Sequence, residues 1–123
     1  MATRYDTHML KGTLMTIRLL WLVNLVTGVL FYFHAVPWPI NLHMYIGFAI
    51  ALLMLVIGLM GITRLTGLAL GTIVVAILLP VIGILQLTHI GRPDLPYIQI
   101  THVIIGIASI GIAEVLGKRL KTA

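Results

Sequence analysis

The sequence predicts an all-α integral membrane protein, an antiparallel four-helix bundle built from two duplicated transmembrane hairpins. Three observations predict this class. Hydrophobic residues make up 60% of the 123 residues and charged residues only 9%, whereas a soluble domain carries about 25% charged residues. The apolar residues fall into four runs, each long enough to cross a bilayer as a helix. The second half of the chain also repeats the histidine and glycine spacing of the first half.

The four apolar runs define the helices of a single transmembrane domain that covers residues 1–123. The helices are predicted at about residues 13–34, 40–63, 68–89 and 97–118. Four strands of this length could not close a barrel, and the runs do not alternate in polarity, so helices are the prediction. Short loops make sequential helices antiparallel neighbours. The N-terminus is polar and lacks a small-residue cleavage site, so we expect no cleavable signal peptide.

The internal repeat is visible as two constant offsets. An offset of 55 positions relates the first run to the third, and an offset of 59 relates the second run to the fourth. The related pairs are Gly28 with Gly83, His34 with His89, His43 with His102, Gly47 with Gly106, and Gly58 with Gly117. The second hairpin loop is four residues longer, which accounts for the change of offset. We therefore expect two hairpins that run in the same direction, related by a pseudo-two-fold axis along the membrane normal.

The basic residues predict the orientation in the membrane. One end of the predicted bundle carries Arg4, Lys11, Arg18, Arg64, Lys118, Arg119 and Lys121, and the other end carries Arg92. The positive-inside rule then places both termini in the cytoplasm. We expect a prokaryotic plasma membrane, with the two proline-rich loops on its outer side. No nucleic-acid-binding motif accompanies the net charge of +5, so no nucleic-acid partner is expected.

Two histidines are the strongest candidates for chemistry. His43 and His102 lie one to two turns inside their predicted helices, at a depth where an ionisable side chain is costly and usually functional. Each is followed four residues later, on the same helix face, by a glycine, Gly47 or Gly106. The second and fourth helices of a simple bundle are diagonal, so the imidazoles would face each other. This arrangement suits bis-imidazole ligation of a planar cofactor.

These residues resemble the histidine and glycine pattern of membrane-embedded b-type cytochromes. The resemblance rests on His43 with Gly47 and on His102 with Gly106. It implies one haem b between the two histidines, and it makes Gly28 and Gly83 further haem-packing positions. Such cytochromes often carry a second histidine about four turns along each helix, and here those positions are apolar, so no stacked haem pair is expected. The chain has no cysteine, which excludes thiolate zinc sites, iron–sulfur clusters and covalent c-type haem.

The other two outer histidines leave three hypotheses open. His34 and His89 lie at predicted helix ends, where they would cap free carbonyls. Alternatively they bind haem propionates together with Arg92, or they ligate a second haem or a metal in the same leaflet. A single acid, Glu114, lies in the fourth run. We interpret it as an ion-pair partner of Arg18 or Lys118, with a proton-relay role as the alternative.

The first functional hypothesis is therefore a small membrane cytochrome b, an electron-transfer protein more than a catalyst. Its expected surroundings are the lipid bilayer, and its expected partners are a quinol or an extracytoplasmic redox protein. Two alternatives remain. One is a cofactor-free accessory subunit of a larger membrane complex, with homo-oligomerisation also open. The other is a copper or zinc site built on the histidines.

Overall fold

The computed structural model describes residues 7–33, 40–88 and 96–122 and contains four α-helices in that part of the chain. They are α1, Thr7–Tyr32; α2, Ile40–Gly61; α3, Thr66–Thr88; and α4, Pro96–Thr122. All four are long and apolar enough to cross a membrane, which indicates an integral membrane protein. The prediction of an all-α chain with four such helices is confirmed.

Two helices extend beyond the ranges predicted from the apolar runs. Helix α1 begins at Thr7, not near residue 13, and α4 ends at Thr122, not near residue 118. The added turns carry Leu10 and Leu120, which are 1% and 4% exposed and belong to the core. Basic residues in the last turn of α4 also suit the negative end of its dipole. The core therefore includes residues that lie beyond the ends of the apolar runs.

The helices form an antiparallel bundle with one close diagonal. Helices α1 and α3 each pack against α2 and α4, α2 and α4 also contact each other, and the described residues of α1 and α3 do not meet. Gly28 near the end of α1 lies beside His43 at the start of α2, and Gly61 at the end of α2 lies beside Ala69 near the start of α3. The contact between α2 and α4 is the geometry expected for the histidine-bearing helices.

The core is concentrated in the half of the bundle that contains the start of α1. The buried residues of α1 end at Ile17, and those of α2 begin at Ile50. Those of α3 end at Leu79, and those of α4 begin at Ser109. The other half, where α2 and α4 begin, has no fully buried side chain among the described residues. That half of the bundle is therefore not closed by core packing.

Two glycines allow close approach of helices in the packed half. A Cβ at Gly58 of α2 would lie 2.6 Å from Cγ1 of Ile73 and 3.3 Å from the carbonyl oxygen of Ala69, both on α3. A Cβ at Gly117 of α4 would overlap the side chain of Leu14 on α1. Gly58 and Gly117 differ by the offset of the second and fourth runs, and Leu14 and Ala69 differ by that of the first and third. Positions related by these two sequence offsets therefore lie near each other in both pairs of helices.

We expect valine at either close-packed glycine to destabilise the bundle. Gly58→Val and Gly117→Val should each lower the free energy of unfolding by about 1–3 kcal/mol, because the added methyl groups overpack the helix contact. Gly111→Val is the matched control, since a Cβ there meets no atom within 4 Å. Unfolding of the three variants in detergent, followed by circular dichroism, measures the difference. Equal stabilities for all three would contradict the packing described for Gly58 and Gly117.

Candidate cofactor site

A cavity occupies the half of the bundle that core side chains leave open. Its volume is about 1160 Å³, and residues from all four helices line it. Along α4 it runs from Pro96 to Ser109, a length of about 20 Å at the rise of an α-helix. Small-molecule and cofactor sites usually measure about 300–1,000 Å³. The space is therefore large enough for a cofactor, and it reaches the helix ends at Phe33 and Pro96.

His43 and His102 face each other in this cavity. Their ring centres are 6.2 Å apart, and their ring planes are inclined by 59°. An imidazole nitrogen lies about 1.1 Å from its ring centre, and a metal–imidazole bond measures about 2.0–2.1 Å. Two imidazoles on opposite sides of one metal ion therefore have ring centres about 6.2–6.4 Å apart. The observed separation is that of two rings able to share one metal ion.

Glycines of the neighbouring helices pack against both imidazoles. A Cβ at Gly28 would lie 3.0 Å from Cε1 of His43, and a Cβ at Gly83 would lie 3.4 Å from Cε1 of His102. A side chain at either position would press on the ring edge. The two glycines thus leave room for the histidines, one from α1 and the other from α3, at equivalent positions of the repeat.

The glycines one turn below the histidines have different surroundings. A Cβ at Gly106 would meet no atom within 4 Å, whereas a Cβ at Gly47 would lie 3.6 Å from Nδ2 of Asn24. Both glycines line the cavity. The open surface expected beneath each histidine is therefore present beneath His102, while Asn24 approaches the corresponding surface beneath His43.

A threonine binds the ring of His43. Oγ1 of Thr27 lies 3.3 Å from Nδ1 of His43, and the same hydroxyl donates to the carbonyl oxygen of Asn24 at 2.9 Å. A hydroxyl has a single proton to donate, so with that proton on the carbonyl of Asn24 its oxygen is free to accept an Nδ1–H from His43. That tautomer leaves the lone pair on Nε2, the nitrogen then available for a metal ion.

Two polar atoms near the cavity have no hydrogen-bond partner. They are Nδ1 of His102 and Oδ1 of Asn24, both buried and unpartnered among the described residues. A buried polar atom without a partner costs about 1–3 kcal/mol. Native structures contain few such atoms, and each calls for an explanation such as a catalytic role or a bound water or ion. Both residues line the same cavity, so the two unpartnered polar atoms lie beside the open space.

A tryptophan and a serine fix α4 beside the cavity. Nε1 of Trp21 donates to the carbonyl oxygen of Gly106 at 2.8 Å, and the hydroxyl of Ser109 donates to the same oxygen at 2.6 Å. Ser109 is 1% exposed. Neither residue was predicted as part of the site, because an isolated tryptophan or serine in an apolar run carries no pattern. The bond from Trp21 joins α1 to α4 at Gly106, and the bond from Ser109 lies within α4 itself.

The remaining predicted site residues are outside the described part of the chain. His34, His89 and Arg92 fall in residues 34–39 and 89–95, which the structure does not describe. Within residues 7–33, 40–88 and 96–122, no group of three or more histidine, aspartate or glutamate side chains could hold a metal ion. Among the described residues, the histidines at the site are therefore His43 and His102.

An ion pair joins α1 and α4 away from the cavity. The guanidinium of Arg18 donates from Nε to Oε1 of Glu114 and from Nη2 to Oε2 of Glu114, the latter at 2.8 Å. The two side chains are 49% and 37% exposed. Neither lines the cavity. The prediction that Glu114 pairs with Arg18 is confirmed.

Breaking this pair on one side should destabilise the chain more than removing it whole. We expect Arg18→Gln and Glu114→Gln each to lower the melting temperature in detergent, because each leaves a lone charge in an apolar span. The double variant should recover most of the loss. Lys11→Gln is the control for removal of one cation from α1. A double variant whose loss equals the sum of the two single losses would contradict the coupling.

The fold alone does not establish function, which depends on the geometry and chemistry of the site. That geometry consists of two facing imidazoles, two glycines that seat them, one threonine partner and an adjoining cavity. In comparisons with protein-family models, curated proteins and solved structures, the chain matches none.

Proposed function

We propose that this chain is a small membrane cytochrome b in which His43 and His102 ligate one haem b. The observation that carries the proposal is the 6.2 Å separation of the two ring centres, which equals the separation that bis-imidazole ligation requires. A haem is held by one or two axial ligands from the protein, whereas a structural zinc site needs four protein ligands. The two imidazoles match the number of protein ligands in a bis-histidine haem site.

The surroundings of the histidines support a planar cofactor. The cavity of about 1160 Å³ adjoins both rings, and Gly28, Gly83 and Gly106 keep side chains out of it. Bound haem would supply one-electron redox chemistry, and axial ligation by two histidines favours electron transfer. Thr27 would orient His43 so that Nε2 carries the lone pair. The apolar walls would limit water, a main control on reduction potential.

We further propose that the site lies near the outer face of a plasma membrane with both termini in the cytoplasm. Lys11, Arg64 and Lys118 occupy the end of the bundle opposite the histidines, as the positive-inside rule requires. The matched contacts of Gly28 with His43 and of Gly83 with His102 support an origin by duplication of one hairpin. Electron partners would be a membrane quinol or an extracytoplasmic redox protein, because the cavity extends to the helix ends beside Tyr32 and Phe33.

Metal analysis of the purified protein tests the proposal against its alternatives. Protein expressed in cells supplied with iron, copper, zinc and haem precursor should contain about one iron per chain, all of it extractable as haem. Stoichiometric copper or zinc without haem would instead support a histidine metal site. Absence of haem and of all three metals would support the accessory-subunit hypothesis and overturn the cytochrome proposal.

A further inference from the structure

The two helix hairpins, α1 with α2 and α3 with α4, give their histidines different hydrogen-bond partners. Nδ1 of His43 has Thr27 as its partner. The repeat offset of 55 places Ile82 at the position equivalent to Thr27, and an isoleucine side chain offers no acceptor. Nδ1 of His102 is accordingly buried without a partner among the described residues. The two hairpins thus differ at this position, with a threonine in the first and an isoleucine in the second.

A partner on the second ring nitrogen strengthens a histidine as a metal ligand. It fixes the tautomer and ring orientation and raises the basicity of the ligating nitrogen, and its loss typically costs about 10–100-fold in metal affinity. Thr27 gives this support to His43. Because Ile82 gives none to His102, His102 is the weaker of the two ligands.

The space around the site has the same asymmetry. Beneath His102, a Cβ at Gly106 would meet no atom within 4 Å, and beneath His43 the amide of Asn24 approaches Gly47. The side of the site that belongs to α4 therefore has the room for a small molecule or for a displaced imidazole. The weaker ligand and the open space coincide on that side.

We propose that His102 is an exchangeable ligand, and that the reduced site binds a small neutral diatomic molecule such as carbon monoxide on its α4 side. This inference rests on the proposed function. With haem bound, this exchange would break the bond from Nε2 of His102 to the ferrous iron and form one from the carbon of CO. No electron is transferred and no proton is released. His43, held by Thr27, stays bound.

Spectroscopic CO titration of the dithionite-reduced, haem-loaded protein tests this inference. The wild-type chain should form a CO adduct with a shifted Soret band. Ile82→Thr should weaken CO binding by about 10–100-fold, because a hydroxyl at the position that the offset matches to Thr27 should accept the Nδ1–H of His102. Ile77→Thr is the matched control, since Ile77 lies on the same helix, is 52% exposed and does not line the cavity. It should bind CO as the wild-type chain does.

The outcomes separate this inference from the proposed function. Full haem loading with no CO adduct in CO-saturated buffer would overturn the exchange and leave the cytochrome standing. Equal CO affinity of the wild-type and Ile82→Thr chains would overturn the role of His102. A chain that takes up no haem would overturn the proposed function and this inference with it.

Discussion

Replacing His43 with alanine should remove the haem from the chain, and replacing His102, the weaker ligand, should lower the haem content and leave the remaining haem high-spin. Each imidazole supplies one axial ligand, and the two rings are 6.2 Å apart in one cavity. Loss of a mere supporting group already costs about 10–100-fold in metal affinity, so loss of the ligand itself should lower the haem-to-chain ratio by at least about tenfold. The ratio is measured by haem extraction and protein assay on detergent-purified variants.

His8→Ala is the control for this experiment, because His8 lies in the first turns of α1, at the opposite end of the bundle from the cavity. It should keep the wild-type ratio. Circular dichroism should show unchanged helix content in all variants, since the core is at the other end. Wild-type haem content in both His43→Ala and His102→Ala would contradict the assigned ligands.

Valine at Gly28 should displace His43 and empty the site nearly as completely. A Cβ there would lie only 3.0 Å from Cε1 of the imidazole, and the two methyl groups of valine would fall still closer to the ring. Overpacking of this kind costs about 1–3 kcal/mol, and here the neighbour that must move is a proposed ligand. We expect a haem-to-chain ratio reduced about tenfold or more, measured by absorbance at the Soret band.

Alanine at Gly28 and at Gly83 should differ in its effect on haem content. Gly83→Ala should be tolerated, because its Cβ would make an ordinary contact of 3.4 Å with His102, whereas Gly28→Ala should lower haem content. Gly111→Val controls for the change of helix propensity, since nothing lies within 4 Å of a Cβ there. Haem content that is equal in Gly28→Val and Gly111→Val would show that Gly28 does not seat the histidine.

The four helices could be predicted from the sequence because each apolar run is long and few charges interrupt it. Their ends could not, since the limits of an apolar window do not reveal packing. Helix α1 already includes Leu10 and α4 still includes Leu120, and both side chains are buried in the core. The concentration of the core in one half of the bundle also has no signature in a sequence that is apolar throughout.

At the site, the order of the helices predicted that His43 and His102 lie close together, and their ring centres are 6.2 Å apart. The sequence also named the glycines near them, but not which glycine contacts which imidazole. Helical spacing relates His43 to Gly47 on its own helix, whereas the closer contact comes from Gly28 across a helix interface. Contacts between helices depend on rotation and crossing angle, which the residue order does not specify. Thr27 was missed for the same reason, although its replacement by Ile82 in the repeat was a readable difference.

The absorption spectrum of the purified wild-type chain, with its haem-to-chain ratio, shows most directly whether His43 and His102 hold a haem. The two-histidine site predicts one haem b per chain and a low-spin spectrum, with a sharp α band on reduction. Protein from haem-sufficient cells that is colourless, or that carries only substoichiometric high-spin haem unaffected by His43→Ala and His102→Ala, would contradict it.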